Sequence, residues 1–165
     1  MLLFAITPAV LSVDALSAEV ARLAADRDAG CGAVTSFAGL VRAQHQGRRV
    51  RYLEYEAYEP LALKTFEQIH RETVEYWPGV VLGMHHRTGR LEIGDASIVI
   101  AAGSAHRAPS FEVCRYAIER VKQIAPVWKH EYFEGGGAAW VEGALADPSD
   151  VAAREQAKAR ACTSA

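Results

Sequence analysis

The residues best suited to chemistry in this chain are cationic, and they fall at turns and element ends. Phe37-Ala38-Gly39-Leu40-Val41-Arg42 closes an extended run with an arginine, three residues after a glycine. A guanidinium at a strand exit offers a planar fork of donors to phosphate or carboxylate. Ser104-Ala105-His106-Arg107 lies between an apolar run and a helix start. Backbone N–H groups at a helix N-terminus lack intrahelical partners and the dipole there favours an anion; the histidine and arginine add charge. Lys122 falls in the last turn of the same helix, where a cation is also favoured simply by the dipole. Trp128-Lys129-His130-Glu131 alternates as a strand, so Lys129 and Glu131 share one face while Trp128, His130 and Tyr132 share the other.

Each segment also has an ordinary reading: a solvated arginine, a polar loop, a helix-stabilising cation, a surface ion pair that contributes little. If the cations converge instead, their mutual repulsion makes the cavity unfavourable without a bound anion. The sequence has no nucleophile elbow and no Walker loop. His85-His86 is the nearest approach to a metal motif, but adjacent strand residues point to opposite faces and chelate one ion poorly, so no metal site is expected.

The elements that must position these groups are readable from periodicity. Leu2 to Ile6 reads as a short edge-type strand ended by Pro8, followed by a helix to about Ala25, capped by Asp14 or Ser17, with Leu16, Val20 and Leu23 on one face. Cys31 to Val41 is a strand candidate interrupted by Gly39, which suggests a bulge or a close backbone approach. Arg42 to Arg51 reads as a mobile cationic loop, and Val50 to Tyr58 as an alternating strand. Pro60 opens a helix with the apolar stripe Leu63, Phe66, Ile69, Val74 and Trp77. Val80 to His86 and Arg90 to Ile93 look like strands joined through Thr88-Gly89, and Ser97 to Ala102 like a strand buried on both faces. A helix starts at Pro109, with Phe111, Cys114, Ile118 and Val121 inward, and Pro126 ends it by pushing Ala125 out of helical geometry. Val127 to Phe133 alternates again, and Gly135-Gly136-Gly137 is a turn or flexible loop. The mixed order implies α+β.

With 165 residues, 50% hydrophobic and 23% charged, the chain is long and apolar enough for one compact domain. We place that domain at residues 1–143 and read 144–165 as an Ala-rich, charged tail, a frayed helix or disordered. A net charge of -2 gives no reason to expect a nucleic acid or an anionic membrane as partner. No apolar run approaches the roughly 20 residues of a membrane span, and Met1 to Val10 lacks the basic start of a secretory signal. Cys31, Cys114 and Cys162 are odd in number and widely spaced, which fits incidental thiols in a reducing cytoplasm.

The cationic segments, taken in order with three others, resemble the molybdopterin synthase large-subunit family. The matching stretches are Phe37-Ala38-Gly39-Leu40-Val41-Arg42, His86-Arg87-Thr88-Gly89-Arg90-Leu91, Ser104-Ala105-His106-Arg107, Ala125-Pro126-Val127-Trp128-Lys129 with Lys122 seven residues before Lys129, and Trp140-Val141-Glu142. They cover roughly residues 30 to 143. The resemblance implies an α/β hammerhead-type fold, with mixed and antiparallel sheets flanked by helices, and a homodimer. It also implies a small ubiquitin-like subunit at each end, giving a heterotetramer. That partner's Gly-Gly C-terminus, carried as a thiocarboxylate, would donate sulfur to cyclic pyranopterin monophosphate (precursor Z) and build the dithiolene of molybdopterin. No metal and no separate cofactor are implied.

On the same basis Lys122 and Lys129 are the catalytic candidates. Lys122 would polarise the thiocarboxylate carbonyl or shuttle a proton; Lys129 would stabilise developing negative charge or act as acid or base. The substrate-binding set is Leu40, Val41, Arg42, His106, Arg107, Lys122, Lys129, His130 and Glu131, with Glu131 orienting Lys129 and Phe37 shaping the wall. Leu40 stands where relatives place a lysine, and Gly143-Ala144 where some have an arginine, so those positions contribute shape rather than charge. The rival reading is a non-catalytic dimeric module that binds a ubiquitin-like tail or a phosphorylated ligand. The retained pair Lys122 and Lys129 argues against it. A different phosphate-ester enzyme is disfavoured because the sequence offers neither a metal-ligand set nor an obvious nucleophile.

Overall fold

The computed structural model describes residues 2–141, 143–144 and 146–162. Glu142 of the Trp140-Val141-Glu142 stretch lies outside the described residues. Two sheets organise the chain. The first has four strands in the order β1-β5-β7-β2: β1 (Phe4–Thr7), β2 (Ala33–Leu40), β5 (Val81–Arg87) and β7 (Ala96–Ser104). The second runs β3-β4-β8-β9, from β3 (Gln44–His45), β4 (Arg48–Ala57), β8 (Val127–Phe133) and β9 (Ala138–Val141), with β6 (Gly89–Glu92) paired to β4. Among the described residues only β1 with β5 is parallel; the other pairs are antiparallel. This is the expected α+β arrangement of mixed and antiparallel sheets with flanking helices. Strands β5 and β6 are joined through Thr88, as the sequence suggested. The chain changes sheets at Thr88.

Helices cover both faces of the first sheet. α1 (Val13–Ala25) packs Leu16, Val20 and Ala24 against Val81, Val99 and Ala101. Its cap is Ser12, whose side chain accepts from the Ala15 N–H at 3.1 Å, rather than Asp14 or Ser17. α1 can sit this close because β5 and β7 carry glycines beneath it. A Cβ on Gly83 would lie 2.7 Å from Leu16 Cδ1, and one on Gly103 would lie 2.9 Å from Val20 Cγ1. The other face is covered by α2 (Glu59–Tyr76) and α3 (Arg107–Ile124) through Phe66, Ile69, Val113, Tyr116 and Ala117, packed on Leu82, Met84 and Ile100. β7 is buried almost throughout, which explains its continuous apolar run.

Two inward assignments are corrected. Val74 is exposed on α2, where Ala62, Thr65, Glu72 and Thr73 complete the buried stripe. Phe111 is 61% exposed, because the buried face of α3, a helix that starts at Arg107 rather than Pro109, centres on Ala117. Six residues earlier the helix points about 120° away. Within the Ala-rich segment, where a frayed helix or disorder was expected, Val151–Cys162 forms helix α4. Small side chains let it lie close, with Ala157 and Ala161 buried in the main core and Arg154 and Arg160 paired to Glu75 and Glu119, each at 2.8 Å.

Candidate active site

The region expected to be a mobile loop is instead a tight hairpin. β3 and β4 pair through Gln44–Arg49 and His45–Arg48, and the two turn residues, Gln46 and Gly47, both have positive φ, 48° and 76°. A two-residue turn of that kind matches the twist of the flanking strands. A register irregularity between Val50 and Tyr52 then lets Val50 and Leu53 both face the small core of the second sheet. The hairpin thereby becomes one wall of a cleft of about 630 Å³ between the two sheets.

Three cations from three segments line this cleft: Arg42, Lys122 and Lys129. Arg42 follows β2, whose register irregularity at Gly39–Leu40 is the bulge the glycine suggested. Lys122 projects from the last turn of α3. At the end of that helix Ala125 is extended (φ -75°, ψ 127°), as a residue before proline should be, and the chain passes straight into β8. That sharp exit sets Lys122 and Lys129 on the same cleft. Phe37, Leu40 and Val41 line the wall beside Arg42, and Gly143 and Ala144 border the opposite side without charge.

Lys129 and Glu131 share the inner face of β8, but they are no surface pair. The Glu131 side chain is only 2% exposed; its Oε1 accepts from Lys129 Nζ at 2.9 Å and its Oε2 from His45 Nδ1 at 2.6 Å. Burial alone would raise the Glu131 pKa, but the bonds from Lys129 and His45 outweigh it and hold the carboxyl below its ordinary value. The group is therefore an ionised carboxylate that can only accept, and His45 must carry its hydrogen on Nδ1.

Other expected site residues are placed elsewhere. His130 is not in the cleft: strand alternation turns it outward, where it stacks on Trp140 with centroids 4.4 Å apart and rings 5° from parallel. The aromatic face of β8 is an outer surface and not core. His106 and Arg107 are exposed at the start of α3 and do not line the cleft. Fifteen residues of helix separate Arg107 from Lys122, a span of about 22 Å. Within one chain they cannot share a small ligand.

The cleft also contains residues that sequence reasoning missed, His45, Tyr55 and His86 among them. His86 is buried and edge-on to Tyr55, and its Nδ1 donates to the Arg87 carbonyl at 2.9 Å. Burial pulls its pKa down to about 4, against a smaller upward pull from that bond, so the ring is neutral near pH 7 with Nε2 as acceptor. His85 points the other way, to the Leu2 carbonyl, as adjacent strand residues must. The cysteines Cys31, Cys114 and Cys162 are free and none lines the cleft; burial pushes the Cys114 thiol up to about 12. Among the described residues no helix is long and apolar enough to cross a membrane.

Two sheets that pinch two lysines and an arginine around a buried carboxylate define an α+β enzyme built to handle anionic groups. The family model described as MoaE protein matches residues 6–124, and the chain belongs to that family, whose members are sulfur-transferring enzymes of molybdenum-cofactor biosynthesis. It is 45% identical over 139 residues to a molybdopterin synthase catalytic subunit of Nostoc sp., an overlap covering 84% of this chain and 81% of that protein. It is 50% identical over 105 residues to the Bacillus subtilis protein of the same name, covering 64% and 67%. Among solved structures it is similar to molybdopterin synthase from Staphylococcus aureus, with a TM-score of 0.78, 37% identity and coverage of 86% of this chain and 98% of that one. It is also similar to a chain in a complex of subunits 1 and 2 of molybdopterin-converting factor from Helicobacter pylori, with a TM-score of 0.69, 26% identity and coverage of 86% and 91%.

Proposed function

We propose that this chain is the catalytic subunit of a molybdopterin synthase. It would take sulfur from the thiocarboxylated Gly-Gly C-terminus of a small ubiquitin-like subunit and add it to cyclic pyranopterin monophosphate. The single observation that carries the reading is the meeting of Arg42, Lys122 and Lys129 in one cleft. Both reactants are anions, a cyclic phosphate and a thiocarboxylate, and their repulsion opposes the encounter in water. Fixed cations in a partly enclosed site offset it without reorganising.

In each transfer a carbon–sulfur bond forms on the pterin side chain as a carbon–oxygen bond at the same carbon breaks, that oxygen leaving as water or staying on the phosphate, and the sulfur–acyl bond of the tail breaks. Water supplies the oxygen that leaves the acyl carbon as carboxylate. Lys122 and Lys129 are the groups we assign to the reacting centre, and Arg42 to the phosphate. Glu131 holds Lys129 in place. A dithiolene needs two sulfurs, and hence two such transfers.

His106 and Arg107 join this machinery only if a second copy of the chain supplies them, since α3 carries them about 22 Å from Lys122. We therefore assign the working unit as a homodimer with a small subunit at each end, acting in the cytoplasm. The complex of two subunits among the similar structures supports a small partner. The decisive experiment mixes the purified chain, a thiocarboxylated small subunit and cyclic pyranopterin monophosphate, and measures molybdopterin. Product that depends on all three supports the reading. Its absence with an active small subunit overturns it.

A further inference from the structure

The bond between His45 and Glu131 joins residues 86 positions apart and ties the β3–β4 hairpin to the strand that carries Lys129. Within the cleft it completes a row of three groups: imidazole, buried carboxylate, ammonium. Each carboxylate oxygen has one donor, His45 at 2.6 Å on Oε2 and Lys129 at 2.9 Å on Oε1. The side chains of His45 and Lys129 remain 25% and 24% exposed, whereas that of Glu131 is 2% exposed. The two donors thus face the cleft and the acceptor lies behind them.

We propose that His45 is a positioning residue of the sulfur-transfer site, acting through Glu131 on Lys129. The inference rests on the functional reading above. A buried carboxylate with one free oxygen draws in any donor within reach, because an unsatisfied charged group is costly. Without His45 the nearest donor is Lys129, which would turn both its charge and its hydrogens toward Glu131 and away from the cleft. With His45 in place, Oε2 is occupied, the carboxylate is fixed, and Lys129 keeps donors for an anion. The hairpin that forms the cleft wall is thereby also what leaves Lys129 available. Its two-residue strand and its Gln46-Gly47 turn supply the rigid placement that a loop would lack.

The geometry separates this role from simple space-filling. An asparagine amide nitrogen falls close to the place of Nδ1, so His45→Asn can still donate to Glu131. A glutamine amide nitrogen falls close to the place of Nε2, so His45→Gln preserves bulk and polarity but loses that bond. In the reconstituted reaction we expect kcat to fall roughly tenfold or more in His45→Gln and His45→Ala, with KM for the pterin changed less than about twofold, and His45→Asn to recover most of the loss. The second readout needs no turnover. Acetylation of Lys129 by a small acylating reagent, followed by mass spectrometry, should be about three- to tenfold slower in His45→Gln and His45→Ala than in the natural chain, and near normal in His45→Asn. Thermal melting of each variant checks that the fold is retained. Equal labelling in all four proteins, or glutamine performing better than asparagine, overturns the proposal. If the natural chain yields no molybdopterin, the functional reading falls, while the labelling comparison still decides whether His45 governs Lys129.

Discussion

Arg120 and Glu72 meet through two hydrogen bonds, Nε to Oε2 at 2.9 Å and Nη2 to Oε1 at 2.8 Å, with no exposed surface on Arg120. The same carboxylate accepts from the Tyr116 hydroxyl at 2.7 Å and from Gln68 at 3.0 Å. Burial pushes the Glu72 pKa up, but these bonds, Arg120 first, bring the net value below the ordinary one. This network locks α2 to α3 two residues before Lys122. Arg120→Met leaves the carboxylate buried without its opposite charge, and should cost about 3–5 kcal/mol in urea denaturation. Replacing both groups, as Arg120→Met with Glu72→Leu, should cost less than Arg120→Met alone.

The two cleft lysines should matter more for activity than for folding. Lys122→Ala should melt within a few degrees of the natural chain, while Lys129→Ala, which takes one of two donors from the buried Glu131, should melt lower but still fold. Each should nonetheless remove most molybdopterin formation, at least about 100-fold, since fixed charges at a reacting centre are worth about 2.7–4 kcal/mol. Product formation and thermal unfolding measured on the same preparations decide this. Near-normal turnover in both variants would remove the lysines from the chemistry.

His86 gives the molecule an acid-sensitive window. Its folded pKa, about 4, lies below the ordinary histidine value, so between the two the unfolded chain binds a proton that the folded chain refuses. Stability should therefore fall as pH drops from about 6.5 towards 4, by up to about 3 kcal/mol, and this contribution should level off below that. Glu72 and Glu131, whose folded values are depressed, add their losses only at and below the ordinary carboxylate range. Urea midpoints measured across pH 4–7 should show the slope, and His86→Gln should flatten its upper part.

How much of this was legible in the sequence depends on the range of the interaction. The inner face shared by Lys129 and Glu131 follows from strand alternation, and the abrupt exit from α3 follows from Pro126. Both are local. His45 was not legible, because its partner is 86 residues away and its own segment reads as a polar loop. The hairpin is fixed by its pairing with β4 and its bond to Glu131, which a local reading cannot weigh. His130 entered the substrate-binding set through the resemblance, not through its own alternation, which already put it on the face opposite Lys129 and Glu131; that face is the outer one, with Tyr132 stacked on Tyr52 at 4.4 Å.

The position of Arg107 yields the sharpest test of the assembly. It lies exposed at the first turn of α3, at the opposite end of that helix from Lys122. If it serves the cleft of a second copy, a symmetric dimer has two sites, each built from the lysines of one chain and the His106-Arg107 pair of the other. Lys129→Ala and Arg107→Ala should then each be inactive alone. In a mixed dimer both lesions fall on one site and the other is intact. Random re-association of equal amounts makes about half the dimers mixed, each with one good site, so about a quarter of natural activity should return. The mixture is made by unfolding and refolding the two variants together, with separately refolded and then combined variants as control. Recovery only after joint refolding supports a composite site. No recovery, or an active Arg107→Ala homodimer, would show that the cleft works without the partner's helix.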